Sequence, residues 1–188
     1  MPYLFKIFIV ICLLGPFNSY GQTPKNKALI IAETHFNAQN WEASQKSFLD
    51  VLKNEPHNGL ALERLGDLAF QKKEWQKATE YFEKALNTDT NRSDFHYKYA
   101  GSLATLAKHH KFKALFVLDD AMEHFLIAEK LDPESIAIKM ALVEMYDQLP
   151  RFLGGNQKKA TEYVQKIYVL DQKSGEKAQE LIRGSSSL

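Results

Sequence analysis

A chain of 188 residues, 45% hydrophobic and 25% charged, has the balance of one soluble domain with a core of useful size. Its 24 Lys and Arg against 23 Asp and Glu create no field that would hold nucleic acid or an anionic membrane. The single cysteine, Cys12, excludes intrachain disulfides and a cysteine-based zinc site.

The first 21 residues place one positive charge, Lys6, before an apolar run from Ile7 to Leu14, then a Gly15-Pro16 breaker and small residues at Ser19 and Gly21. That layout predicts a secretory signal peptide, 1–21, cleaved after Gly21, and a mature protein in the periplasm or outside the cell. The run is shorter than the roughly 20 residues of a membrane span. Loss of Lys6 leaves equal numbers of acidic and basic residues, hence a neutral mature chain.

Beyond a short polar link, apolar residues recur at helical spacing through the remaining chain. Ala28, Leu29, Ile31, Ala32 and Phe36 predict a first helix, and Trp41, Ser44, Phe48, Val51 and Leu52 a second, which Pro56 stops. Leu62, Leu65, Gly66 and Ala69, followed by Ala78, Phe82 and Ala85, predict a second helix pair. Shifted back by 34 positions, Trp75 falls on Trp41, Phe82 on Phe48, Ala78 on Ser44 and Gly66 on Ala32. Small residues at Gly66 and Ala78 admit a neighbouring backbone, while Leu65 and Phe82 fill the space beside it. One such hairpin leaves an apolar face wet, so it requires a neighbour of the same pattern.

A third hairpin carries Tyr97, Ala100, Leu103 and Leu106, then Ala121, Phe125 and Ala128, with nine extra residues read as lengthened helices. Asp132-Pro133 is expected to cap a fourth pair, whose inner turn runs from Leu149 to Gly155. The expected architecture is all-α: units at about 25–58, 59–92, 93–133 and 134–173, a capping helix at 174–183 and a tail at 184–188.

The spacing L-x-x-L-G-x-x-A, then A-x-x-x-F-x-x-A, between Leu62 and Ala85 resembles the tetratricopeptide repeat signature. The long third hairpin and the Pro-x-x-x-Gly-Gly turn are similar to the tetratricopeptide component associated with periplasmic substrate-binding transporters. The resemblance implies an α-α superhelix whose first helices line a concave groove that binds a protein or peptide. Carried onto this chain, the groove positions include Glu63, Asp67, Tyr97, Ile138 and Leu142, with Lys98 and Lys139 nearby. Glu33, Glu63 and Asp67 stand where some relatives carry a clamp for a C-terminal carboxylate, so that clamp is absent. The grouping points to a ligand with an apolar body and a cationic or donor end.

Chemistry has little support in these residues. The six histidines include no pair spaced for two ligands on one helix face. Asp119, Asp120 and Glu123, flanked by Lys111 and Lys113, read as a solvated face rather than an acid–base pair. No phosphate loop, nucleophile elbow or dinucleotide fingerprint occurs. Trp41 and Trp75 share a repeat position, which favours packing over ligand stacking. The expectation is therefore an exported, non-enzymatic scaffold without a cofactor or metal; the alternative is a periplasmic carrier of a small apolar ligand, or a partner of a transporter's binding protein.

Overall fold

The computed structural model describes residues 24–109 and 111–185, with the side chains of residues 24–26, 111–116 and 185 excepted. The expected leader, 1–21, and residues 186–188 of the tail lie outside the described residues. Among the described residues nine α-helices and one 3-10 turn follow in order, with no strand. They are α1 (Pro24–Asn37), α2 (Trp41–Asn54), α3 (Gly59–Gln71), α4 (Trp75–Leu86), α5 (Ser93–His109), α6 (Lys111–Leu131), α7 (Ile136–Gln148), α8 (Gln157–Leu170) and α9 (Gln172–Ser185).

Local chemistry sets the ends of these helices. The side chains of Asn40, Asn58 and Asn156 accept the backbone N–H of Ala43, Ala61 and Lys159, each cap contributing about 1 kcal/mol. Glu55 and Pro56 end α2, because the residue before a proline is driven out of helical geometry. Inside the first two hairpins the chain reverses through a left-handed residue, Gln39 at φ 56° and Lys73 at φ 60°. These two are 34 positions apart, so the backbone repeats with the period of the sequence.

Each helix packs antiparallel on the next, α5 and α6 most extensively, while α9 folds over both α7 and α8. The inner face of every second helix carries one large buried side chain: Phe48, Phe82, Phe125 and Val164, none more than 3% exposed. Opposite them the first helices present small residues, among them Ala32, Gly66 and Ala100. A Cβ on Gly66 would lie 2.5 Å from the Phe82 ring, so the glycine is a condition of the crossing. The tryptophans pack between helices as expected. Trp41 meets Phe36 edge-on at 5.6 Å, and Trp75 meets Phe70 edge-on at 4.9 Å while stacking on His109 at 5.0 Å.

One expectation is corrected. Asp132-Pro133 does not open α7; Asp132 accepts the N–H of Glu134 in a turn, and Ser135 caps the helix by accepting from Ile138. The helix begins three residues later than the Asp-Pro pair indicated. The α7 to α8 connection also contains a 3-10 turn, Arg151–Leu153, closed by Gly154 at φ 91°. Gly155 donates to Pro150 O, and its missing side chain is obligatory, since a Cβ would sit 1.7 Å from Leu149 O.

Among the described residues no helix is long and apolar enough to cross a membrane. Gly66→Leu is expected to destabilise the protein by more than about 2 kcal/mol through overpacking against Phe82. Urea or thermal unfolding measures it, and an unchanged midpoint would mean that α3 and α4 do not meet at this glycine.

Candidate functional site

The first helices of successive hairpins, α3, α5 and α7, share one concave surface that encloses a trough of about 690 Å³. Its floor and walls are largely apolar: Phe70 and Phe82 on one side, Tyr97, Gly101 and Ala104 in the middle, Ala141 and Met145 on the other, with Leu118 and Phe125 beneath. Asp67, Lys98, Lys108, Glu144 and Gln148 supply the polar rim. Three residues form a row across it. Asp67, Gly101 and Glu144 each lie nine positions beyond the residue preceding their helix, namely Asn58, Arg92 and Ser135.

Of the expected groove residues, Asp67, Tyr97 and Lys98 line the trough. Ile138, Lys139 and Leu142 do not; they are 3%, 3% and 0% exposed. The cause is the misplaced start of α7. Counted from Ile136 instead of residue 134, the ninth position is Glu144 and not Leu142, so the groove row moves by two residues. Lys139 turns the other way, its ammonium capping the carbonyl of Pro133.

Glu63 is also withdrawn, at 5% exposure, because it is one member of an ionic seam. The Arg64 guanidinium donates to Glu33 at 2.9 Å and to Asp67 at 3.2 Å, while Lys98 reaches Glu63 at 2.5 Å and both oxygens of Asp67 at 2.6 and 2.8 Å. Three carboxylates thus share two cations across α1, α3 and α5, and the seam keeps one net negative charge. Burial lowers the Arg64 pKa, but hydrogen bonds and the charges of Glu33 and Glu63 outweigh it and hold the guanidinium above its ordinary value. Sequence reasoning missed Arg64, although a signal exists: Glu33 to Arg64 and Asp67 to Lys98 are both 31 positions apart.

The hydroxyls in the trough are mostly spent on backbone. Ser102 donates to Tyr99 O and Thr105 to Gly101 O. Among the described residues, Glu144 and Lys108 make no ion pair, and the Tyr97 hydroxyl makes no hydrogen bond. Burial raises the Tyr97 pKa, and the nearby Glu144 charge adds to it. The free polar groups of the trough are therefore few.

Behind the floor, α5 and α6 are joined by two histidines that are far apart in sequence. His96 Nε2–H donates to Thr90 O at 2.9 Å, which leaves its Nδ1 to accept from His124 Nδ1–H at 2.8 Å. Burial holds the His124 pKa below its usual range against the opposing pull of Asp120. Asp120 also accepts from the Tyr99 hydroxyl at 3.3 Å; burial first, then Asp120, pushes that phenol up to about 12. Asp120 is thus engaged in joining the hairpin, while Asp119 and Glu123 face solvent. No group of three potential metal ligands occurs among the described residues.

Stacked helical hairpins with a groove on their first helices define an α-solenoid of the repeat class. Residues 31–94 match the family model described as tetratricopeptide repeat. The fold is similar to MamA from Desulfovibrio magneticus RS-1, with 19% identity, TM-score 0.62, and coverage of 79% of this chain and 76% of that one. A further MamA crystal structure aligns at 16% identity and TM-score 0.64, covering 87% and 86%. TTC0263, a thermophilic protein of the same repeat class in Thermus thermophilus, aligns at 15% identity and TM-score 0.62, covering 79% and 75%. At these identities the likeness concerns the fold. Comparison with curated protein sequences finds no match.

Lys98→Ala would leave the Glu63 carboxylate buried without its nearest cation. A loss of about 2–3 kcal/mol is expected, below the full cost of breaking a buried pair because Lys98 itself is partly solvated. Adding Glu63→Gln should recover most of it in urea unfolding; no recovery would mean that the seam contributes through packing alone.

Proposed function

We propose that the protein is an exported, non-catalytic scaffold that holds a peptide segment of a partner protein in the trough between α3, α5 and α7. The observation that carries this reading is the trough itself. Its volume of about 690 Å³, apolar floor and sparse polar rim match what a recognition site requires, while solvent reaches it along one open side. An extended or helical segment can enter such a trough sideways, as helix-in-groove recognition does. The repeat fold supports the same reading, because a solenoid exposes a long concave surface that its own packing does not use.

Export rests on residues 1–21, whose charge, apolar run and small residues before Gln22 have the layout of a cleaved leader. Intact mass of the protein recovered from the periplasm or medium should correspond to a chain beginning at Gln22. A soluble cytoplasmic form retaining residues 1–21 would end that part of the proposal.

The rival is a carrier of a small apolar ligand, for which the same floor would serve, including a ligand delivered to a transporter's binding protein. Native mass spectrometry separates the two, since a carrier retains a co-purifying small mass. For a peptide, Tyr97→Ala should weaken binding by about 1–3 kcal/mol, as loss of a central aromatic contact does. Fluorescence anisotropy with labelled peptides selected on the parent measures it, and equal affinity would remove Tyr97 from the site.

A further inference from the structure

Gly101 stands at the middle of α5 and at the centre of the trough, and the packing of the protein does not call for a glycine there. A Cβ built at this position meets no atom within 4 Å. Gly66 and Gly175 differ: at Gly66 a Cβ would strike the Phe82 ring at 2.5 Å, and at Gly175 the Tyr168 ring at 2.4 Å. Those two are required by their neighbours. Gly101 has ordinary helical backbone and open space, and glycine inside a helix is less stable than alanine. The stability given up at this position leaves a bare patch of helix facing the groove.

The surroundings define what fits the patch. Tyr97 and Ala104 lie one turn to either side on α5, with Ala141 and Met145 on the facing wall of α7. Ser102 and Thr105 offer no free hydroxyl, because both are engaged by backbone carbonyls. An apolar side chain therefore loses nothing by entering. The charges on the two walls differ. Asp67, on the α3 side of Gly101, is paired with Lys98 and Arg64, whereas Glu144, the acidic residue on the α7 side, has no ion pair among the described residues, nor has Lys108 at the end of α5.

We propose that Gly101 forms an anchor notch for one large apolar side chain of a bound peptide, and that Glu144 receives a Lys or Arg carried on the same peptide. This rests on the trough being the binding surface, and it adds the partner's chemistry: an apolar anchor followed by a basic residue. Filling the notch blocks the anchor without disturbing the fold, because the added side chain projects into empty space.

The test is selection of a random twelve-residue peptide library on the mature protein, followed by affinity measurement of the enriched peptides on Gly101→Leu and Glu144→Gln. The enriched peptides should pair a Phe, Leu or Met with a Lys or Arg. Gly101→Leu should bind them at least tenfold more weakly with a melting temperature no lower than the parent's, and Glu144→Gln should erase the preference for the basic residue. Peptides that bind the parent and Gly101→Leu alike, or lack the apolar and basic pairing, overturn the notch while leaving the groove reading in place. A library that yields no binder on the parent overturns both.

Discussion

The structure depends on one steric condition, repeated along the chain: where two helices cross, one offers a small residue and the other a large one. At the second hairpin the condition is most severe, since the Phe82 ring occupies the volume that any side chain on Gly66 would need. The other hairpins satisfy it more loosely with alanine, and the last substitutes Val164 for phenylalanine. Close crossing brings the first helices near enough to one another to make a continuous surface. The groove is thus a by-product of packing, and its chemistry is free to vary wherever the residues facing it take no part in that packing or in the ionic seam.

That freedom is uneven across the groove. On the side of α1 and α3, three carboxylates are held by two cations, so the surface there is tied across three helices and keeps one net negative charge. On the side of α7 the walls are apolar with Glu144 unpaired among the described residues. The extended third hairpin separates the two halves. Its histidine pair and the Tyr99 to Asp120 bond fasten α5 to α6 from behind, which leaves the groove face of α5 uncommitted.

How far the sequence discloses this follows from what each signal measures. Repeat spacing reports on packing residues, so Gly66, Phe82 and the two tryptophans were legible, and with them the fold. Groove residues have no packing signature and can be placed only by counting from a helix start. In α7 the Asp132-Pro133 pair imitated that start, and the count, taken from residue 134, ran two residues early; Ile138 and Leu142 were thereby assigned to a face that the helix turns inward. Long-range pairs were legible only in part. Lys98 could be placed near Glu63 and Asp67 because all three lie on neighbouring first helices, but His96 and His124 meet across the irregular hairpin, where no period fixes the register. The buried state of Glu63 was hidden for a related reason, since burial of that carboxylate depends on Lys98 from another helix as well as on its neighbour Arg64.

The shared separation of 31 residues in the ionic seam bears on how such an array changes length. In α3 the base, Arg64, stands three positions before the acid, Asp67, and that acid finds the base of the following unit 31 positions further on. A second copy of residues 59–92 spliced after the first would set its own Arg64 equivalent 31 positions beyond Asp67, where Lys98 now stands. The displaced Lys98 would meet the copied aspartate at the same distance in sequence. Units can therefore be added or removed at this junction with each such acid and base still 31 positions apart, so this pairing imposes no particular number of repeats.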